Sequence, residues 1–261
     1  MIRTILNEKG GVAKTTTAIQ LAAGFAKAGR KTLLIDGDPQ GGATKILFSE
    51  DELKEIMETD QNTISEVMLY PDRIKECIRN TGVDNLYMIP GNGALNRTIN
   101  KLRMNPMTSY PVRLKKALKL LGDEYEEIVI DNNPFFTLFS MNTVVCADEV
   151  IIPTDIDLGS LAAVTATMRD IADIIDEMGD AVNVDVRILL TMVDRLKIDR
   201  TIIEQVRTAY KQRIYSTTIR TQNKPVKEAN FSHTLLINDE KSAVAQDYRN
   251  FISEVLGGQE A

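Results

Sequence analysis

Short apolar runs alternate with helical patterns along most of this chain, and this alternation restricts the possible folds more than any single motif does. The apolar runs lie at 2–6 (IRTIL), 31–36 (KTLLID), 85–90 (NLYMIP), 126–131 (EEIVID), 148–153 (DEVIIP) and 185–193 (DVRILLTMV). Helical periodicity occurs at 14–28, 94–103, 111–121, 138–146, 158–178, 199–211 and 241–255. Parallel strands that are buried on both faces require such helical crossovers. The sequence therefore predicts an α/β fold in which helices cover both faces of a mostly parallel sheet.

The chain shows no internal repeat, no low-complexity segment and no linker rich in proline or glycine. Its 261 residues are enough for one large α/β domain. We therefore expect residues 1–261 to form a single domain, with no helix-turn-helix domain before the first strand. The acidic stretch 49–61 is most simply a solvated helix or loop.

The composition excludes several classes of protein. Cys77 and Cys146 are the two cysteines and have no CxxC spacing, which excludes a disulfide framework and a cysteine zinc site. No run of about 18 apolar residues is present, and the first residues do not form a signal peptide. We expect a soluble cytoplasmic protein.

Three polar loops follow the ends of predicted strands. They are LNEKGGVAKTT after the first strand, DGDPQGG after the second and DNNP after EEIVI. In open parallel sheets, ligands bind beyond the carboxyl ends of the strands. The three loops together predict a ligand site at this edge of the sheet.

The first of these loops departs from the standard phosphate-binding pattern G-x-x-x-x-G-K-[ST], because Glu8 and Ala13 occupy the two glycine positions. It still carries Gly-Gly-x-x-Lys-Thr before a helix. Glycines let consecutive N–H groups face an anion, and a helix N-terminus favours negative charge. The predicted nucleotide-binding residues are Lys9, Gly10, Gly11, Val12, Ala13, Lys14, Thr15 and Thr16. Taken alone, the loop could also be a strand-to-helix turn with an exposed lysine.

Carboxylates at two strand ends favour the nucleotide interpretation. Asp131 ends an apolar strand, where an acidic side chain is unfavourable unless it meets a cation or hydrogen-bond donors. Asp36 and Asp38 end a second strand in the same way. We predict a Mg²⁺ site in which Thr15 is a direct ligand, while Asp36, Asp38 and Asp131 bind through water. Each aspartate by itself could equally cap a strand end or a turn.

The motifs KGGVAKTT, DGDPQGGAT and IVIDNNP together resemble the ParA/MinD family of deviant Walker A P-loop ATPases, and the ParA branch in particular. That family's loop reads K-G-G-x-x-K-[ST], so Glu8 is no defect. The resemblance implies that Lys9 crosses an ATP-sandwich homodimer to the phosphates of the partner subunit. It also implies that Lys14 is the ordinary loop lysine, that Asp38 orients the attacking water and that Asp131 is the Walker B aspartate. The predicted catalytic residues are Lys9, Lys14 and Asp38.

The resemblance extends over nearly the whole chain: 217–230 resembles the family's late nucleotide-proximal and DNA-proximal segment, and 237–256 resembles its closing helix. It implies a Mg²⁺-dependent ATP hydrolase of weak intrinsic activity that serves plasmid or chromosome partition. Its implied partners are non-specific DNA, which would place it on the nucleoid, and a ParB-like centromere-binding protein that stimulates hydrolysis.

Two departures from the family pattern carry expectations of their own. Ala13 replaces the usual glycine before the loop lysine, which is tolerable only if its φ is negative. The usual D-x-P-P after the Walker B strand is DNNP here, so the geometry of this switch segment should differ.

The segment 187–229 reverses the charge of the chain. Ten basic residues stand against four acidic ones in it, a net charge of +6 within a protein of net charge −6. Such a basic segment attracts phosphate backbones without reading sequence, although solvated helix faces would give the same pattern. The predicted DNA contacts are Arg213, Arg220, Lys224 and Lys227.

Other members of the same superfamily offer alternatives. A MinD-like positioning ATPase needs a basic amphipathic helix at the C-terminus, and no Lys or Arg follows Arg249, so we expect no membrane partner. An iron–sulfur relative needs cluster-ligating cysteines, whereas Cys146 lies in an apolar helix and is expected in the core. A metabolic ATP-dependent ligase or kinase shares the phosphate loop, but would not explain the KGG signature or the basic segment.

Overall fold

The computed structural model describes residues 1–59, 61–104, 110–194 and 197–257. One sheet of eight strands runs through them in the order β3-β4-β2-β5-β1-β6-β7-β8. The strands are β1 Ile2–Ile5, β2 Thr32–Gly37, β3 Arg79–Asn80, β4 Leu86–Ile89, β5 Glu127–Asn132, β6 Glu149–Thr154, β7 Asp185–Val193 and β8 Ile214–Arg220. Neighbouring strands are parallel except for β3, which pairs antiparallel with β4 at the edge. The predicted mostly parallel sheet is confirmed.

Helices cover both faces of this sheet. They are α1 Lys14–Lys27, α2 Gly42–Leu47, α3 Glu50–Glu58, α4 Ile64–Leu69, α5 Ala94–Arg103, α6 Arg113–Lys119, α7 Leu138–Cys146, α8 Leu158–Met178, α9 Lys197–Tyr210, α10 Asn223–Phe231 and α11 Ala243–Val255. Short 3-10 turns lie at Pro71–Cys77, Tyr110–Val112, Gly179–Ala181, Lys211–Arg213 and Leu236–Asn238. None of the helices in the described part of the chain is both long and apolar enough to cross a membrane.

The alternation of side chains along each strand divides the core between the two faces. On β2, Leu34 packs with α1 and α11 on one face, while Leu33 and Ile35 pack with the helices of the other face. A third cluster continues this second face beneath β6 and β7, against α8. Cys146, at the end of α7, is buried in the second cluster, with Leu33 and Ile35, as expected for a core residue.

An ionic network is buried near the amino end of the central strand. Arg3 on β1 contacts Glu127 on β5 and, through Nε at 2.9 Å, Glu149 on β6. The three residues are between 2% and 5% exposed. Arg30 also pairs with Glu127, and the Tyr215 hydroxyl donates to Glu149. The network therefore joins the three central strands at their amino ends, whereas the predicted ligand site lies at the carboxyl ends.

The carboxyl ends of β1, β2 and β5 carry the predicted site residues or lead into them. Asp131 on β5 is in register with Asp36 on β2 and with Ile5 on β1. β2 and β6 lie on opposite sides of the central pair β5–β1. The chain crosses from one half of the sheet to the other at β1, and such a switch point is where this class of sheet opens a crevice for ligands.

Candidate active site

The glycine loop between β1 and α1 is fixed by hydrogen bonds at both of its ends. The Asn7 carboxamide donates to the Pro153 carbonyl at 2.8 Å and accepts from the Lys9 amide at 2.9 Å. Further along, the buried Val12 carbonyl accepts a hydrogen bond from the Thr191 hydroxyl at 3.1 Å. Gly10 and Gly11 between these anchors are exposed. The loop is thus fixed at both ends, and its two glycines are exposed to solvent.

Ala13 adopts the left-handed conformation, with φ 63° and ψ 29°, at the N-terminus of α1. The expectation of a negative φ at this position was wrong. The turn that leads the loop into α1 is left-handed at this position, so the Ala13 methyl group carries the strain. For an L-residue that strain is about 1–2 kcal/mol.

Lys14, the first residue of α1, is buried against this loop. Its Nζ donates to the Lys9 carbonyl at 2.7 Å, and the residue is 7% exposed. Burial lowers the pKa of Lys14, while the negative charges of Asp131 and Asp38 act in the opposite direction. The ammonium group therefore sits in a confined space that already contains acidic partners.

Asp36 is fully buried and is saturated with hydrogen bonds. Its Oδ2 accepts from the Thr44 amide at 2.8 Å and from the Thr44 hydroxyl at 2.7 Å, while Oδ1 accepts from the Asp38 amide at 3.1 Å. Gly91 packs so closely here that a Cβ would lie 2.4 Å from the Asp36 carbonyl oxygen. Burial raises the pKa of Asp36. Asp36 thus organises the turn that carries Asp38, and its predicted water-mediated contact with Mg²⁺ stays a prediction.

Asp131 is buried to the same degree but has no comparable partners. Neither carboxylate oxygen makes a hydrogen bond of good geometry with the described residues, although the Thr15 hydroxyl is near enough to lower the pKa of Asp131 in part. Burial, followed by the charge of Asp36, raises the pKa of Asp131 well above its ordinary value. A buried carboxylate beside a second one is unfavourable unless a cation or a proton neutralises it.

This arrangement fits the predicted Mg²⁺. Thr15 and Asp131 would hold the ion, and both Thr15 and Asp38 line the cavity described below. A hard cation with oxygen ligands would supply the positive charge that Asp131 lacks and would neutralise phosphate oxygens. Asp38 is half-buried, and its Oδ1 accepts from the Gln40 amide at 2.8 Å.

A cavity of about 400 Å³ opens beside the glycine loop. Its phosphate-loop end is formed by Gly10, Gly11, Ala13, Lys14, Thr15, Thr16 and Asp38. Its other end is formed by Met192, Ile219, Arg220, Thr221, Gln222, Asn223, Val226, Val244 and Tyr248. A volume of this size suits a small ligand. Most of the second set lies in 217–230, which the resemblance implied to be close to the nucleotide, whereas Met192, Val244 and Tyr248 were not predicted, because only the fold brings them to the cavity.

Lys9 lies outside this cavity and is held by α8 and the turn before it. Its Nζ contacts Asp155 at 3.3 Å and Asp157 at 2.5 Å, and it also donates to the Ser160 hydroxyl. Asp157 caps α8, since its Oδ1 accepts from the Ser160 amide at 2.8 Å. The hydrogen bond from Lys9 lowers the pKa of Asp157 to about 2. Neither aspartate was singled out from the sequence, although the residues DLGS that start the helix at 158 carry a capping signal.

The DNNP segment that replaces the usual D-x-P-P is well anchored. The Asn132 carboxamide donates to the Thr4 hydroxyl at 2.7 Å and accepts from the Thr143 hydroxyl at 3.2 Å. Asn132 thus fastens the end of β5 to β1 and α7. Phe135, beyond the proline, is 69% exposed.

The four residues predicted to contact DNA are not brought together. Arg213 precedes β8 and Arg220 ends it, so they lie about 20 Å apart at ~3.3 Å per residue. The Arg220 guanidinium is paired with Asp247, with Nε–Oδ2 and Nη2–Oδ1 distances of 2.6 Å. Lys224 and Lys227 on α10 are exposed. Arg213 and Arg220 therefore lie at opposite ends of β8, and Arg195, a further basic residue of 187–229, lies outside the described residues.

A glycine loop between a strand and a helix, at the switch point of a parallel sheet and beside buried carboxylates, defines a P-loop nucleotide hydrolase. A family model described as an AAA domain matches residues 1–188. The chromosome partitioning protein ParA of Myxococcus xanthus is 32% identical, over 94% of this chain and 83% of that protein. The sporulation initiation inhibitor protein Soj of Bacillus subtilis is 29% identical over 97% of each chain. The chain belongs to the family of ParA-type partition ATPases.

A solved structure agrees with the chemistry of the site. The cobyrinic acid a,c-diamide synthase of Mycobacterium smegmatis, determined with a bound ATP analogue and magnesium, is 26% identical to this chain with a TM-score of 0.79. The similarity covers 98% of this chain and 93% of that one. As a ParA-type enzyme the protein is an ATP hydrolase that uses ATP and Mg²⁺.

Proposed function

We propose that this chain is the ATPase of a plasmid or chromosome partition system. In this proposal it forms an ATP-bound sandwich homodimer, binds DNA non-specifically and hydrolyses ATP when a ParB-like partner stimulates it. The observation that carries the proposal is the position of Lys9, outside its own cavity and beside two exposed glycines. A lysine placed there is available to the phosphates of a second subunit.

Within one subunit the roles are divided among the walls of the cavity. Lys14 and the glycine N–H groups bind the phosphates, while Thr15 and Asp131 hold Mg²⁺. Asp38 faces the same space from the β2 turn and orients the attacking water. Lys9, released from Asp155 and Asp157, adds positive charge from the opposite subunit. Each of these groups acts by position and charge, which is how phosphoryl transfer is accelerated in this class.

The DNA surface in this proposal is α10 with its two exposed lysines, Lys224 and Lys227. They follow the strand end that lines the cavity, so nucleotide and DNA would share one edge of the sheet. Arg213 lies at the opposite edge and contributes less. A sandwich dimer would present two α10 helices on one rigid particle, which doubles the phosphates that it reaches.

The test is binding of unrelated duplex DNA fragments over a salt series, with a non-hydrolysable ATP analogue or with ADP. We expect binding with the analogue only, indifferent to sequence, with a log–log salt slope of about −0.9 per phosphate neutralised. Replacing Lys224 and Lys227 by alanine should flatten that slope without changing nucleotide affinity. Lys54→Ala, on α3 and outside the basic segment, is the matched control.

A second candidate, a metabolic ATP-dependent ligase, is favoured by the similarity to the cobyrinic acid synthase. The same DNA-binding experiment distinguishes the two candidate functions. If no salt-sensitive DNA binding appears with the analogue even at low ionic strength, the partition proposal fails and the ligase becomes the better one.

A further inference from the structure

We propose that the groove between α4 and α5 is a second ligand site, which takes a small organic acid with a carboxylate at one end and a hydrogen-bonding group at the other. The groove is a cavity of about 260 Å³ and shares no lining residue with the nucleotide cavity. Its two helices pack on the face of the sheet opposite to α1. The inference is independent of the partition proposal and of dimerisation.

The two helices start close together and face each other across the groove. The Ile64 amide at the start of α4 donates to the Pro90 carbonyl at 2.9 Å, and α5 begins shortly after Pro90, at Ala94. On both helices the lining residues recur at helical spacing, so one face of α4 opposes one face of α5. Ser65 and Ala94, near the two helix starts, have small side chains that leave space between the helices.

The buried end of the groove contains a hydroxyl without a partner. Ser65 is 2% exposed, and its Oγ makes no hydrogen bond with the described residues. Thr98 on α5 also lines the groove and is 5% exposed. A buried hydroxyl without a partner is unfavourable because it has lost its water. A serine hydroxyl turns about a single side-chain angle, so a polar ligand group at this end would supply the partner that Ser65 lacks.

The exposed end of the groove is positively charged. Lys101, in the last turn of α5, is exposed and makes no ion pair with the described residues. Arg97, one turn earlier, is a second cation of the same wall. The acidic residue of the lining, Glu66, is already engaged, since it pairs with Arg73 and its Oε2 accepts from the Asn62 amide at 2.6 Å. The mouth of the groove therefore favours an anion.

The separation of the two ends sets the length of the ligand. Ala94 and Lys101 are separated by about 10 Å along α5, at ~1.5 Å per residue. Leu69 and Tyr70 of α4 line the groove and offer apolar surface to the body of a ligand. The cavity is smaller than the ~300–1,000 Å³ of pockets that hold drug-sized ligands. A narrow acid with a polar group at the far end from its carboxylate fits this length and chemistry.

The probe is 3-(4-hydroxyphenyl)propionate, titrated into the full-length ¹⁵N-labelled protein and followed by the NMR shifts of the backbone amides. We expect shifts in α4 and α5 and a Kd in the millimolar range, as is usual for so small a ligand. Two comparison compounds each lack one end of the probe. 3-Phenylpropionate, without the hydroxyl, should bind about three- to tenfold more weakly. 3-(4-Hydroxyphenyl)propanol, without the charge, should bind about two- to fivefold more weakly.

Two variants assign the ends of the groove to the ends of the ligand. In Ser65→Ala, the probe and 3-phenylpropionate should bind alike, while the preference for the acid over the alcohol remains. In Lys101→Ala, the acid and the alcohol should bind alike, while the preference for the hydroxyl remains. Lys119→Ala, at an exposed position on α6, is the matched control and should keep both preferences.

Ser65→Ala also has a readout in the absence of ligand. Because the Ser65 hydroxyl has no partner, its removal should leave the Tm unchanged or raise it. Ser140 is the contrasting buried serine, since its hydroxyl donates to the Phe135 carbonyl at 3.1 Å. Ser140→Ala should therefore lower the Tm by about 2–4 °C.

Three results would overturn the proposal. The first is a titration across the millimolar range in which no amide of α4 or α5 shifts. The second is binding of the probe with both preferences intact in Ser65→Ala and Lys101→Ala, which would place the ligand elsewhere. The third is a fall in the Tm of Ser65→Ala as large as that of Ser140→Ala, since the Ser65 hydroxyl would then already have a partner in the protein.

Discussion

Asp36 and Asp131 stand side by side in register on β2 and β5, both fully buried, and only Asp36 is supplied with hydrogen-bond donors. The donors that surround Asp36 come from the turn after β2, which folds back over it. Asp131 has no such set of donors, and the nearby Thr15 hydroxyl and Lys14 charge offset its burial only in part. The pair of buried carboxylates thus leaves the active site short of positive charge.

Replacing Asp131 by asparagine should stabilise the nucleotide-free protein and abolish the effect of Mg²⁺ on ADP affinity. Removing a buried, unpaired charge is worth about 1–3 kcal/mol, or roughly 3–10 °C in Tm. The raised pKa fixes the sign of the pH dependence. Stability is highest below the ordinary aspartate pKa of 3.8 and is lost as the pH rises through the raised one.

Denaturation scans between pH 5 and pH 8 test this prediction, with Asp123→Asn on the surface as the control. The gain in stability should be larger at pH 8 than at pH 5, because more of the Asp131 carboxyl is ionised at the higher pH. A loss of stability in Asp131→Asn at pH 8 would show that Asp131 is already neutralised by a group of the protein.

Ala13→Gly should raise the stability, because glycine adopts a φ of 63° without strain. The relief of about 1–2 kcal/mol is offset in part by the greater freedom of glycine in the unfolded chain, which leaves about 0.5–1 kcal/mol. Thermal denaturation should show a Tm higher by about 1–4 °C. Ala28→Gly, at a φ of −75° on the same helix, should give no such gain.

Asp38→Ala should bind ATP normally and hydrolyse it slowly. Orienting the water acts on the transition state, so affinity should stay within about twofold while single-turnover hydrolysis falls by about 10²-fold. Near-normal hydrolysis by a folded Asp38→Ala protein would remove this residue from the mechanism. ATP binding measured on the same preparation is the control.

Asp157→Asn should strengthen dimerisation with a non-hydrolysable ATP analogue, by up to about fivefold, because it weakens the hold on Lys9. Asparagine still caps α8, so the helix should remain intact. Lys9→Ala should weaken the dimer, while ADP affinity changes little. Sedimentation velocity measures both variants against Asp173→Asn on the exposed face of α8. A dimer of unchanged strength in Lys9→Ala would show that Lys9 serves only its own subunit.

The fold was largely accessible from the sequence because its buried elements have clear periodicity. The predicted elements at 94–103, 138–146, 158–178 and 185–193 agree with the structure at both ends. Strand β8, with the sequence IYSTTIR, was missed because polar residues interrupt its apolar run at the edge of the sheet. β3 was also missed, because a strand of two residues shows no periodicity.

Part of the candidate site could be predicted from the sequence, and there is a physical reason why the rest could not. Lys14, Thr15 and Asp38 belong to short contiguous motifs, so local sequence reveals them. The far end of the cavity is assembled from β7, β8, α10 and α11, and no local pattern connects Met192 with Tyr248. Arg220 shows the same limit, because its charge suggested DNA while its partner Asp247 lies on another helix.

The buried pairing of Arg3 with Glu127 and Glu149 bears on how the chain reaches this topology. Many of the strands are short apolar runs that could exchange places in a sheet at little loss of hydrophobic burial. β1 cannot exchange its place in this way. At any position in the sheet without flanking carboxylates, Arg3 would be a buried, uncompensated cation, at a cost of about 3–5 kcal/mol. We infer that this pairing disfavours misordered sheets during folding, and so secures the order β5-β1-β6, in which β5 carries Asp131 of the metal site.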